Sequence, residues 1–173
     1  MNSILKNSIR FVLFLLMQII ILNEVPPLHQ FITPYLYFLF ILWLPFGTSR
    51  LSLTIIGFLF GYSLDVFSNT PGLHAAACTL VGYVRPSILN LLLAQEASEE
   101  LTKEPSVGTM GWGPYFIYIL LLTFVHHFYL VLLEWLQFGS FTYFIGKVIS
   151  TTLMSTLLIF LVELLMNRRK LKR

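Results

Sequence analysis

The sequence is dominated by apolar stretches, several of them long enough to cross a lipid bilayer as α-helices. A spanning helix needs about 20 mostly apolar residues. We therefore predict an all-α polytopic membrane protein whose helices form one bundle. About six transmembrane helices are expected, at residues 9–28, 31–46, 51–68, 73–93, 112–136 and 143–166. Apolar and polar residues do not alternate with a period of two, which argues against an outer-membrane barrel.

The composition supports the same class of protein. Hydrophobic residues make up 57% and charged residues 11% of the 173 residues, against about 45–50% and 25% in soluble domains. The longest polar stretch, residues 94–113, is shorter than the about 50 residues that a separate domain needs. We expect one integral membrane domain over residues 1–173, ending in a basic tail at 167–173. The single cysteine, Cys78, excludes an intrachain disulfide.

The first apolar stretch has a second interpretation. Lys6 and Arg10, followed by the apolar residues 11–22, are typical of a secretory signal peptide. Cleavage requires small residues after the apolar core, whereas Asn, Glu, Val, Pro and Pro occupy positions 23–27. We therefore expect this segment to be retained as the first helix.

The basic residues predict the orientation of the chain. With six helices, nine of the eleven Lys and Arg residues lie on one side of the membrane: Lys6, Arg10, Arg50, Lys103, Arg168, Arg169, Lys170, Lys172 and Arg173. The positive-inside rule places that side, with both termini, in the cytoplasm. The net charge of +3 thus indicates topology, and no nucleic-acid partner is expected. The tail is expected to anchor the last helix and to attract anionic lipid through Arg168, Arg169 and Lys170.

The third apolar stretch contains the most informative motif. Gly57, Gly61 and Asp65 are spaced by four residues and share one helix face. Glycines at this spacing let another helix approach closely, and a carboxylate on the same face is expected at a helix contact or a wet cavity. Pro71 and Gly72 follow in a turn. The alternative is that Asp65 only caps that turn.

The residues at 57–65, GFLFGYSLD, and at 71–75, PGLHA, resemble the signature of the bacterial rod-shape-determining MreD family. The chain length, the apolar segments and the basic tail are also similar to that family. The acidic loop at 94–111 has no counterpart in the pattern, so its role is left open. Cofactors are not expected.

The resemblance implies a non-enzymatic component of the cell-wall elongation complex in the inner membrane of a rod-shaped bacterium. It further implies the partner MreC and, nearby, MreB, RodA and penicillin-binding protein 2. The fold is expected to be similar to the substrate-binding components of ECF vitamin transporters. A transporter component is therefore the alternative function. Residues 11–22 lack the alanines that such components present to their partner subunit, which argues against it.

The other polar residues within the apolar stretches are expected to have structural roles. His126 and His127 point about 100° apart on a helix, so they are a poor metal site even with His74 and Glu134, and no metal is predicted. Arg85 precedes Pro86, and we expect it to extend to lipid headgroups. No nucleophile, base and orienting group are arranged together, so an enzyme is not expected.

Glu134 and Lys147 form the one ion pair that the sequence predicts. They precede and follow the turn near Ser140 by six and seven residues. At 1.5 Å per residue they lie at nearly equal depth in two antiparallel helices. Pairing would lower the free energy of holding either charge in the membrane. The alternative is that each side chain reaches the surface separately.

Overall fold

A computed structural model describes residues 3–23, 33–93, 101–138 and 140–170 of the chain. The described residues form helices and no strands. The helices are α1 (Ser3–Leu16, continued by a π-helix at Met17–Leu22), α2 (Leu39–Leu42), α3 (Arg50–Ser68), α4 (Leu73–Leu92), α5 (Val107–Met110), α6 (Trp112–Phe138) and α7 (Phe141–Lys170).

Five helical segments among the described residues are long and apolar enough to cross a membrane. They are Leu5–Leu22, Arg50–Ser68, Leu73–Leu92, Trp112–Leu136 and Phe141–Leu165. Large apolar side chains such as Leu13, Phe58 and Leu153 are exposed on their outer faces. An all-α membrane bundle accommodates both observations, because lipid is as apolar as the side chains that it would cover.

The expected helix at 31–46 is not a spanning helix in its described part. Of residues 33–46 only Leu39–Leu42 are α-helical. Pro34 and Pro45 bracket the segment, and each proline disfavours the helical conformation of the residue before it. The segment nevertheless runs through the centre of the bundle, and its side chains from Tyr37 to Leu42 are almost fully buried.

The segment 33–46 still connects the two ends of the bundle. At one end, the basic end, Lys6 and Arg10 contact Glu104, and the Gly47 N–H donates to the Leu101 carbonyl over 2.8 Å. At the other, the distal end, the Asn23 amide donates to Ser68 Oγ over 3.1 Å. The Leu36 N–H donates to Gln18 near the distal end, whereas Gly47 lies at the basic end. The segment 33–46 therefore crosses the bundle from one end to the other in a largely non-helical form.

A helix cap and a turn define the two helices that carry the motif. Ser49 caps α3 by accepting from the Ser52 N–H over 3.1 Å. The helix ends at Ser68 and is followed by Asn69, which adopts the left-handed conformation at φ 53°. Gly72 precedes α4 with φ +85°, where a residue with a side chain would be strained. The four-residue link brings α4 back antiparallel to α3.

Candidate functional site

The glycine face of α3 packs against α4 of the same chain. A Cβ added at Gly57 would lie 2.5 Å from the Cys78 carbonyl oxygen, and one at Gly61 would collide with the His74 carbonyl. Sequence reasoning missed Gly82 of α4, which lies equally close to the Leu53 carbonyl. This face is therefore an internal contact, and it is not open to a partner protein.

Asp65 caps the N-terminus of α4 and is almost fully buried. Its Oδ1 accepts from the His74 N–H over 3.0 Å and from Thr70 Oγ1 over 2.9 Å, and its Oδ2 accepts from the Ala75 N–H over 2.9 Å. A carboxylate is favoured here because free N–H groups and the helix dipole converge on it. The sequence predicted Asp65 either at a helix contact or as a cap of the turn. In the structure it does both, because it lies at the α3–α4 contact and caps the turn and the start of α4.

Arg85 is fully buried in the core. Its Nε donates to the Tyr118 hydroxyl over 2.8 Å, and its Nη2 donates to the carbonyls of Leu42 and Leu44. Tyr118 donates to the Leu42 carbonyl over 2.8 Å. The expectation that Arg85 contacts lipid is therefore wrong. Non-helical backbone within a membrane needs partners from the protein, and Arg85 supplies them to the segment 33–46.

Gln18 holds the other end of the segment 33–46. It lies in the π-helical part of the first helix and is fully buried. Its Nε2 donates to the Pro34 carbonyl over 3.3 Å, and its Oε1 accepts from the Leu36 N–H over 3.1 Å. The sequence carries a signal that could have identified it, because Gln18 is the one polar residue in positions 11–22.

Three histidines and a tyrosine meet in the middle of the bundle. The Tyr37 hydroxyl lies 2.8 Å from His74 Nδ1 and 2.7 Å from His126 Nε2. His126 Nδ1 lies 3.3 Å from His127 Nδ1. The described residues contain no group of three His, Cys, Asp or Glu side chains placed to hold a metal. The arrangement is a hydrogen-bonded chain, and Tyr37, which links its members, was missed from sequence.

The structure brings Glu134 and Lys147 together. Lys147 Nζ lies 2.5 Å from Glu134 Oε2, and the side chains are 12% and 25% exposed, respectively. The pair joins α6 to α7 one or two helical turns from the turn between them.

The basic tail was predicted, like Arg85, to contact lipid. The side chains of Arg168, Arg169 and Lys170 lie outside the described part of the structure.

The loop before α5 is tied to the first helix at the basic end. Glu104 Oε1 accepts from Lys6 Nζ and from Arg10 Nη1, each over 2.7 Å. Burial alone would raise the pKa of Glu104, but the hydrogen bonds and charges of Lys6 and Arg10 outweigh it and lower the pKa. The acidic residues at 96, 99 and 100 lie outside the described residues.

Two cavities adjoin the described helices. One, of about 520 Å³, lies between the first helix and α3 and is lined mostly by apolar side chains such as Phe11 and Ile56. The other, of about 240 Å³, lies at the distal end and has a more polar lining that includes Asn23, Thr70 and His74. The second cavity reaches one end of the histidine–tyrosine chain.

Comparisons with known proteins return no match: no protein-family model fits the chain, and no curated protein or solved structure is significantly similar to it.

Proposed function

We propose that this chain is a non-enzymatic, multi-pass component of a bacterial cell-wall elongation complex, similar to the MreD family. The observation that carries the proposal is that the residues of the resemblance form one structural unit. Gly57 and Gly61 admit the backbone of α4, Asp65 caps it, and Gly72 permits the turn. The motif residues therefore act together in the fold, and this supports treating them as one pattern.

The buried polar groups support a structural role. Gln18, Arg85 and Tyr118 bind the backbone of the segment 33–46. Each of these side chains therefore stabilises a chain crossing that could not persist in lipid alone. In this proposal the protein acts by presenting helix faces, and no bond is made or broken.

The position of the glycine face limits where the partner MreC can bind. Because α4 covers that face, we assign the partner contact to the outward face of α3, where Ile55, Phe58 and Tyr62 are exposed. Aromatic side chains that protrude from a helix are frequent anchors of protein interfaces. MreB, RodA and penicillin-binding protein 2 are proposed members of the same assembly.

Cysteine crosslinking tests this assignment. Phe58→Cys should crosslink to MreC in membranes, and Leu53→Cys, which replaces a fully buried residue of the same helix, should not. The native Cys78 is buried and gives little background. Equal crosslinking of both variants, or of neither, would remove the outward face of α3 from the proposal.

We further propose the cytoplasmic membrane as the location, with both termini in the cytoplasm. The basic residues Lys6, Arg10, Arg50 and Lys103 support this orientation through the positive-inside rule. A reporter fused after Arg173 should be cytoplasmic, and one inserted in the turn at 137–142 should be periplasmic. A periplasmic reporter after Arg173 would contradict the orientation.

Depletion of the protein distinguishes the proposed function from the alternative. Rounding of rod-shaped cells, reversed by the wild-type gene, would support the elongation role. A vitamin requirement without rounding would support a transporter component instead. Cavity volume does not separate the two functions, because the distal cavity of about 240 Å³ lies below, and the apolar cavity of about 520 Å³ within, the range of about 300–1,000 Å³ that small-molecule sites usually occupy.

A further inference from the structure

The chain formed by His74, Tyr37, His126 and His127 constrains where its protons lie. A neutral imidazole has one N–H and one bare nitrogen, and a hydroxyl has one proton to donate. In each hydrogen bond one atom donates and the other accepts. Since the four groups are joined in a row by three bonds, the direction of one bond fixes the direction of the others.

Two directions satisfy every bond. In the inward direction His74 Nδ1–H donates to Tyr37, Tyr37 donates to His126 Nε2, and His126 Nδ1–H donates to His127 Nδ1. The proton of His127 is then on Nε2. In the outward direction His127 Nδ1–H donates to His126, His126 Nε2–H donates to Tyr37, and Tyr37 donates to His74 Nδ1. His127 Nε2 is then bare.

The two ends of the chain lie in different surroundings. His74 lines the distal-end cavity together with the hydroxyl-bearing residues Ser68 and Thr70, and polar cavities of this size hold water. His127 Nε2 is buried and has no hydrogen-bond partner among the described residues. The hydroxyl of Thr123, one turn away on α6, is equally unpartnered within that set. The chain thus joins a wet site to an unsatisfied polar site inside the bundle.

We propose that protonation of His74 from the distal-end cavity is transmitted through Tyr37 and His126 to His127. An imidazolium has N–H groups on both nitrogens, so a protonated His74 must donate to Tyr37. This selects the inward direction and places the proton of His127 on Nε2. If His127 then releases that proton, each bond passes one proton inward, His74 becomes neutral again and the chain is left in the outward direction.

The charged and titratable groups around the chain favour keeping the positive charge at His74. Burial disfavours a positive charge on each of these histidines, but at His74 the negative charge of Asp65 of α3, which accepts from the His74 backbone N–H, opposes this effect. Lys147 of α7 opposes a positive charge on His127. What reaches His127 is therefore a change of tautomer, with the net charge held at the cavity.

Three further titratable groups adjoin the chain. Cys78 of α4 contacts the Tyr37 hydroxyl, which can accept from the thiol in either direction because oxygen has two lone pairs. The Tyr35 ring lies 5.7 Å from that of His74 and 5.6 Å from that of His127. Glu134 acts on Tyr35 through its charge and is itself paired with Lys147. None of these contacts fixes the direction of the chain.

Nitrogen NMR of the full-length protein in lipid nanodiscs tests the proposal. With ¹⁵N-labelled histidine, ring nitrogens that carry a proton are distinguished from bare ones, and His29→Gln removes the signal of the fourth histidine. Over a titration from about pH 8 down to about pH 3, wide enough to include a histidine whose charged form is disfavoured by burial, His74 should become doubly protonated. His127 Nε2 should become fully protonated with the same midpoint.

Tyr37→Phe removes the linking hydroxyl and should uncouple the two ends, so that His74 titrates and His127 does not follow. Tyr83→Phe removes a tyrosine hydroxyl outside this hydrogen-bonded chain, from an exposed side chain of α4, and should leave the coupling intact. If Tyr37→Phe does not fold, His74→Gln serves instead and should abolish the pH response of His127. A His74 that does not titrate, a His127 that ignores it in the wild type, or a response that survives Tyr37→Phe or His74→Gln would overturn the proposal. None of these readouts depends on a role in cell-wall elongation.

Discussion

The hairpins α3–α4 and α6–α7 are both antiparallel pairs of apolar helices, yet different chemistry holds them together. In α3–α4, three glycines bring backbone against backbone, and both carboxylate oxygens of Asp65 are satisfied. In α6–α7, contacts between side chains join the helices: the ion pair near the turn, and the hydrogen bond that the Tyr115 hydroxyl donates to Glu163 Oε2 over 3.2 Å. Buried hydroxyls of Thr123, Thr152 and Thr156 have no partner among the described residues.

The difference separates a rigid part of the molecule from an adaptable one. A contact between backbones has no side chain that can change rotamer, so α3–α4 has one close arrangement. Unsatisfied hydroxyls can turn toward water, a neighbouring residue or a tautomer of His127. We therefore expect substitutions in α3–α4 to destabilise strongly, and those in α6–α7 to have smaller effects that range from moderate destabilisation to slight stabilisation.

Gly61→Leu should have the largest effect. Its side chain would meet the backbone of His74 and Ala75, which cannot move without separating the helices. Overpacking commonly costs about 1–3 kcal/mol, and a backbone collision should exceed that range. We expect little monodisperse protein after detergent extraction. Gly113→Leu is the control, because the added Cβ would meet no described atom within 4 Å apart from its own stretch of helix. Normal yield of Gly61→Leu would show that the α3–α4 contact is loose.

Asp65→Ala should destabilise by about 2–3 kcal/mol, since it leaves buried N–H groups at the start of α4 unpaired. Asp65→Asn should recover only part of this loss. One amide oxygen can accept from one backbone N–H, whereas the amide NH₂ would face the other donor. Thermal unfolding in detergent measures both variants. If Asn matches Asp, one acceptor is enough and the carboxylate is not needed for the cap.

The ion pair gives an effect of intermediate size in α6–α7. Glu134→Lys and Lys147→Glu each place two like charges together near the membrane and should lower the protein level. A charge near the bilayer surface costs less than the about 2.5–3.5 kcal/mol found at its centre, so we expect a loss of about 1–2 kcal/mol for each. The double reversal should restore the level. A double variant no better than the worse single variant would exclude a specific pair.

Thr156→Val should be neutral or stabilising by up to about 1 kcal/mol, because it replaces an unpartnered buried hydroxyl by a methyl of similar shape. Thr151→Val, five residues earlier on the same helix, is the matched control. It removes a hydroxyl that donates to the Lys147 carbonyl over 2.6 Å and should be slightly destabilising. Thermal unfolding of both gives the comparison. A clear loss for Thr156→Val would mean that its hydroxyl has a partner in the membrane.

The smallest effect is expected at Glu104, outside both hairpins. Its lowered pKa means that its ionised form stabilises the fold above the pKa of the unfolded chain, about 4.3. That contribution is lost as the pH falls through the folded-state pKa. Partly exposed pairs contribute up to about 1 kcal/mol. The difference in melting temperature between wild type and Glu104→Gln should be measurable at neutral pH, shrink as the pH falls below about 4.3 and vanish once the pH is below the folded-state pKa. A difference that is independent of pH would contradict this.

Much of the α3–α4 unit followed from local pattern. Gly57, Gly61 and Asp65 at four-residue spacing define one face whatever surrounds them, and Pro71–Gly72 marks the turn. The sequence also predicted that Glu134 and Lys147 lie at the same distance from the turn, because a short turn fixes the register of two antiparallel helices. What the pattern could not identify was the occupant of the glycine face, since the spacing is the same for an internal helix and for a partner.

The residues 33–46 and Arg85 mark the limit of sequence reasoning. Hydropathy measures transfer into apolar surroundings and does not distinguish lipid from protein interior, so a buried irregular segment looks like a membrane helix. Its carbonyls are bonded by Arg85 and Tyr118, more than 40 residues away along the chain. The sequence by itself determined that the chain forms apolar helices long enough to span a membrane, and that the motif residues share one helix face. Only the tertiary structure decided where the helix is replaced by irregular backbone, because only long-range side chains satisfy its hydrogen bonds.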